Sequence, residues 1–165
     1  MGLKINLAGI FFMSIFISAQ ASDLMINVDH RASMSLNGNW NIIIDPYEIG
    51  YYDYRFQPSP DGFFKNQLPK DKSDRVEYSF DTDLMLQVPG DWNSQNNMLF
   101  FYEGTVWYKK SFDYQKKAGS RTFLYSGAVN YQAKVYLNGE FIGEHEGGFT
   151  PFQFEVTSLV REKDN

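Results

Sequence analysis

Alternation of apolar and polar residues with a period of two runs through most of the chain from about residue 35 onward. In 35–45, SLNGNWNIIID, the residues Leu36, Gly38, Trp40, Ile42 and Ile44 share one parity, and Asn37, Asn39 and Asn41 take the other. That pattern predicts a half-buried strand with a tryptophan at its centre. A second extended stretch runs over 77–88 and ends in Leu84, Leu86 and Val88, where Pro89-Gly90 signals a turn. Further strands are expected from Gly104 to Phe112, from Arg121 to Tyr125 and from Tyr131 to Leu137. Asn138-Gly139 suits a two-residue type I′ turn, and Glu140 to Glu146 is the return strand of that hairpin. Gly147-Gly148 breaks it. Phe152, Phe154 and Val156 then alternate with Gln153 and Glu155, one face buried and one wet. Thr157 to Val160 reads as a short helical turn, and Arg161 to Asn165 as a polar turn leading into another strand.

Two stretches escape the alternation. Residues 45–83 hold four prolines (Pro46, Pro58, Pro60 and Pro69), many tyrosines and charges, and no clear period. A connection of that length inside a compact domain is usually functional or disordered, and the aromatic content here (Tyr47, Tyr51, Tyr52, Tyr54, Phe56, Phe63, Phe64) argues against disorder. We read it as an ordered flap over one face or edge of the sheets. Residues 93–102 form a polar-then-aromatic loop. No stretch beyond residue 21 sustains a 3.6-residue apolar period, so the fold class is all-β, a sandwich or barrel.

The first residues change the picture. Lys4 supplies a positive start, Ile5 to Ile17 an apolar core and Ala19-Gln20-Ala21 a cleavage site. This predicts a secretory signal peptide cut after Ala21, too short for the roughly 20 residues that span a bilayer. The expected location is periplasmic or secreted, with no membrane attachment after cleavage. With Cys 0, an exported chain must rely on packing, for which 15 Phe, 11 Tyr and 3 Trp offer ample area. A net charge of −5 without Lys/Arg clusters argues against nucleic acid as a partner.

Three motifs carry a family resemblance. They are Leu36-x-Gly38-x-Trp40, Val88-Pro89-Gly90-x-Trp92 and Gly104-x-x-Trp107-Tyr108. The longest match follows them, VYLNGEFIGEHEGGFTPFQFEVTSLV over 135–160. Together they resemble the N-terminal jelly-roll domain of family 2 glycoside hydrolases of the β-glucuronidase and β-galactosidase group. The resemblance implies a galactose-binding-like jelly-roll β-sandwich of about eight strands over 22–165, incomplete at its C-terminal end, with the flap at about 45–83. It implies a secreted parent that hydrolyses O-glycosyl bonds of a β-glycoside. Its immunoglobulin-like and barrel domains, missing C-terminal domains of the same polypeptide, would be this domain's partners.

Catalysis is not expected from these residues. Retaining glycosidases place two carboxyl groups about 5–5.5 Å apart, and in the family both sit on the barrel, one after an asparagine. No Asn-Glu pair occurs here. Glu144 and Glu146 share a strand face that reads as solvated. His30 and His145 lack metal-ligand spacing, and Asp71, Asp74, Asp81 and Asp83 are too spread out for a calcium loop, so no metal or other cofactor is expected. No phosphate-cradling glycine loop or nucleophile elbow is present. Sugar contact remains. Trp92, Tyr102 and Trp107 are the available aromatics, with Trp107 read as core and Trp92 as a packing anchor more than a platform. Asp91, Trp92, Asn93 and Glu103, in the loop from Asp91 to Glu103, are the candidate substrate-binding residues. The rival expectations are a free-standing carbohydrate-binding module and a purely structural interaction domain.

Overall fold

The computed structural model describes residues 24–53, 55–58, 64 and 68–165. The expected signal peptide, and Tyr54, Pro60 and Phe63 of the flap, lie outside the described residues. Among these residues there are seven strands, against about eight expected, joined in three antiparallel pieces.

The first piece has β1 (Gly38–Asp45) at its centre, β2 (Met85–Val88) on one side and β3 (Thr105–Lys109) on the other. Register is set by Gly38 opposite Val88 and by Asp45 opposite Thr105. The β1 sequence carries three consecutive isoleucines, so both faces of its second half are apolar. Ile42 is buried with Leu86 and Leu99, and Ile44, Leu84, Trp92, Tyr102, Val106 and Tyr108 pack around them. Ile43 points the opposite way, into Phe64, Tyr78 and Phe80, with Trp107 beside them. The expectation of a half-buried strand is therefore corrected. Alternation shows one apolar face, and residues from the 45–83 stretch cover the other from far along the chain.

The second half is two ribbons. β5 (Gln132–Leu137) and β6 (Glu140–Glu146) form the predicted hairpin, and Asn138 and Gly139 have φ of 55° and 84°, as a type I′ turn requires. β4 (Phe123–Ser126) pairs with β7 (Phe152–Glu155). Leu137, Val156 and Val160 form the core between them, flanked by Phe112, Tyr114, Leu124, Ile142 and Leu159. The turn after β7 is helical in its bonding, with the Leu159 and Val160 N–H groups both donating to Val156 O. Asn138 Nδ2 ties the hairpin tip to it through Leu159 O at 2.9 Å. Asn165 lies antiparallel to Phe112, exchanging backbone bonds of 3.2 and 3.0 Å.

Gln153 was expected on the wet face and is only 8% exposed. The lead-in covers it: Met25 N–H donates to Gln153 Oε1 at 2.9 Å. A contact across 128 residues leaves no trace in a local pattern.

Candidate carbohydrate-contacting end of the sandwich

Strand registers gather several connections at one end. β1 finishes at Asp45 where β3 begins at Thr105. Lys134, near the start of β5, holds its Nζ 4.5 Å from the Tyr51 ring just past that end of β1. His145, near the end of β6, stacks on Phe152 at the start of β7 with ring centroids 4.3 Å apart. Gly147 N–H donates to Tyr131 O at 2.8 Å. The segments 46–52, 97–104, 127–131 and 147–151 therefore leave the strands at the same end.

Asp45 anchors this end. Its carboxylate is 0% exposed and accepts from Ile49 N–H (3.1 Å), Gly50 N–H (3.0 Å) and the Trp107 Nε1–H (3.0 Å). Three donors offset the cost of burying a charge. Trp107 is thereby fixed as core, against Phe64 and Tyr136 at centroid distances of 5.8 and 5.9 Å. Glu48 Oε1 accepts from the Thr105 hydroxyl at 2.9 Å, closing the same corner.

The 91–103 loop is built by its own polar side chains. Asp91 caps the single helical turn α1 (Trp92–Gln95), accepting from Asn93 N–H (3.2 Å) and Ser94 N–H (3.1 Å). Asn96 caps a 3₁₀ turn over Asn97–Leu99 through Met98 N–H at 2.9 Å. The Asn93 amide donates to Leu99 O at 2.5 Å, with Phe100 O and Tyr102 O at 3.3 and 3.4 Å. Leu99 is 0% exposed and plugs the Ile42–Leu86 cluster from above the sheet. Trp92 packs into that cluster and meets Tyr102 edge-on at 6.4 Å. Burial raises the Tyr102 hydroxyl pKa, and the hydroxyl donates to Thr105 O at 2.9 Å.

Asp91, Trp92 and Asn93 thus lie together; Trp92 and Asn93 are half-buried, Asp91 is exposed with its carboxylate bonded to the α1 N–H groups, and Glu103 is exposed. Among polar residues such as Asn97 and Glu103, the loop also presents three large apolar side chains outward, Met98, Phe100 and Phe101, the last 90% exposed. The two phenylalanine rings meet edge-on at 4.6 Å. Sequence reasoning weighed the tryptophans and passed over this pair, although an aromatic doublet after a polar run was the available signal. Across the same end Phe149 is 87% exposed and holds φ of 64°, an uncommon conformation for a bulky residue.

Glu144 and Glu146 are exposed on β6. His145 Nε2 is 3.0 Å from the Thr150 hydroxyl and its ring is stacked, which accounts for it without a ligand. Among the described residues no group of three or more acidic or histidine side chains could hold a metal ion. The arrangement offers ring faces and edges beside a carboxylate.

A sandwich of this construction is an all-β, galactose-binding-like domain. The chain belongs to the family of glycosyl hydrolase 2 galactose-binding domain-like proteins, whose profile matches residues 82–165. It is 32% identical over 100 residues to the beta-galactosidase of Thermoanaerobacter pseudethanolicus, covering 57% of this chain and 14% of that protein. It is 28% identical over 137 residues to the beta-glucuronidase of Sus scrofa, covering 79% of this chain and 19% of that protein. Among solved structures it is similar to Bifidobacterium dentium beta-glucuronidase complexed with coumarin-3-O-glucuronide, with 31% identity and a TM-score of 0.53 over 78% of this chain and 18% of that one. Beta-glucuronidase of Ruminococcus gnavus, at 24% identity, shares the fold with a TM-score of 0.59 over 79% of this chain and 19% of that one. The chain therefore spans under a fifth of the length of these relatives.

Proposed function

We propose that this chain is the sugar-binding and scaffolding part of a secreted retaining β-glycosidase, of the kind that cleaves β-glucuronides or β-galactosides. The catalytic carboxyl groups belong to further domains of the parent polypeptide, and residues 1–21 serve as its export signal. The observation that carries the reading is the 91–103 loop. Asp91 and Asn93 bond the loop's own backbone, and the loop sets the exposed Phe100 and Phe101 rings beside the exposed Glu103. Ligand sites combine such apolar surface with a few placed polar groups. Within the earlier candidate set, Glu103 contacts the sugar directly, and Asp91, Trp92 and Asn93 position the loop.

The test has two parts. The chain alone should leave nitrophenyl β-glucuronide and β-galactoside uncleaved, and its Phe101 and Glu103 resonances should shift on titration with a non-hydrolysable thioglycoside. Shifts confined to other surfaces would refute the loop assignment. The gene read past the codon for Asn165 should encode a barrel with an Asn-Glu pair. A verified stop codon there would refute the glycosidase assignment for this product.

A further inference from the structure

Away from that end, the lead-in crosses the β4–β7 pair and leaves an open groove of about 280 Å³. Leu24, Met25 and Ile26 line it from the lead-in, and Phe123 and Gln153 from the strands; Arg31 and Arg121 complete the lining. Leu24 and Ile26 are largely exposed, so they would gain burial from an occupant.

The polar groups are not equivalent. Gln153 Oε1 is engaged by Met25 N–H. Arg121 lies 4.9 Å above the Phe123 ring and is paired with Glu155 through both Nε (3.1 Å) and Nη2 (2.6 Å). Arg31 donates through Nε to Ile26 O at 3.1 Å, which fixes the plane of its guanidinium. Among the described residues no carboxylate lies within ion-pair distance of it. Its two Nη groups therefore keep their donors for an acceptor from outside, and a guanidinium fork matches a carboxylate with two parallel bonds.

We propose that this groove binds a small organic anion, a carboxylate carried on an apolar ring. The carboxylate pairs with Arg31, and the ring lies against Leu24, Ile26 and the part of Phe123 that Arg121 leaves open. The net charge of −5 opposes anions in general, so attraction has to come from the local guanidinium of Arg31 and not from the field of the whole domain. Because the groove is half lead-in and half sheet, an occupant also clasps residues 24–31 onto β7. The proposal does not depend on the sugar reading.

Naphthoate is the probe, titrated into the full chain and followed by calorimetry and by amide exchange. Saturable binding is expected, and the Met25 amide should exchange more slowly when naphthoate is present. Arg31→Gln should weaken binding about tenfold, the loss expected for one charge-assisted pair. Naphthalenemethanol, with the same rings and no charge, should bind the native chain as weakly as naphthoate binds Arg31→Gln. This second comparison needs no variant, so misfolding of Arg31→Gln would not spoil it. Absence of naphthoate binding, equal affinity for the alcohol, or unchanged affinity in Arg31→Gln would each overturn the proposal.

Discussion

Two loops of this domain are held in different ways. The 91–103 loop is fixed by side chains: a capping aspartate, an asparagine amide spread over three carbonyls, and a leucine plug. The 147–151 loop is fixed by backbone conformation, with Gly147 at φ of 142°, Phe149 at 64° and a backbone bond to Tyr131. In the first loop polar residues hold the chain and aromatic ones face out. In the second the chain bends where a Cβ is unwelcome. Truncating side chains should damage the first loop, and adding a Cβ should damage the second.

Leu99→Ala should have the largest effect. It empties a fully buried site, and such truncations cost about 2–5 kcal/mol. Denaturant unfolding should show the loss, and exchange of the 97–102 amides should accelerate; an unchanged midpoint would mean the plug is not holding the loop. Asn93→Ala comes next. It strips a donor from Leu99 O, Phe100 O and Tyr102 O, at about 1–3 kcal/mol. If Asn93 were instead a sugar contact only, stability would stay constant and thioglycoside affinity alone would fall. Gly147→Ala should cost about 1–2 kcal/mol, since it places a side chain at positive φ close to the Thr150 hydroxyl. Phe101→Ala should change stability by less than about 0.5 kcal/mol while reducing sugar binding, because an exposed ring has little folding energy to lose.

The smallest effect is set by pH, at the other end of β7. The Arg121 hydrogen bond, and then that of Thr157, hold the Glu155 carboxyl at about 2, below its ordinary 4.5. A folded pKa depressed in this way stabilises fully above about 4.5, and the contribution disappears as pH falls through about 2. Both partners are well exposed, so solvent screening keeps the contribution small. A carboxyl-carbon titration should show the depressed value, and Arg121→Gln should raise it.

Much of this architecture was readable from local pattern. Asn138-Gly139 gave the hairpin because only certain residues accept positive φ at both turn positions. The stretch 135–160 gave the family because its motif is long and continuous. What stayed hidden depends on contacts across the chain. Ile43 looked like a wet-face position until Phe64, Tyr78 and Phe80 covered it. Gln153 looked wet until the lead-in arrived from 128 residues away. The backbone bonds of Asp91 and Asn93 were equally hidden, because a loop asparagine or aspartate can bond a hydroxyl or a backbone group equally well. Asp45 was passed over as the end of a strand, though it collects three donors.

The back-to-back placement of Ile42 and Ile43 has a consequence for folding. Two of the three cores share one strand as a common wall, so neither can assemble unless β1 is already in register between β2 and β3. A slip of one residue would exchange the two faces and mismatch both clusters together. The first half of the domain should therefore melt as a single cooperative unit, with the packing of Phe64, Tyr78 and Phe80 lost in the same transition as the 91–103 loop on the opposite face.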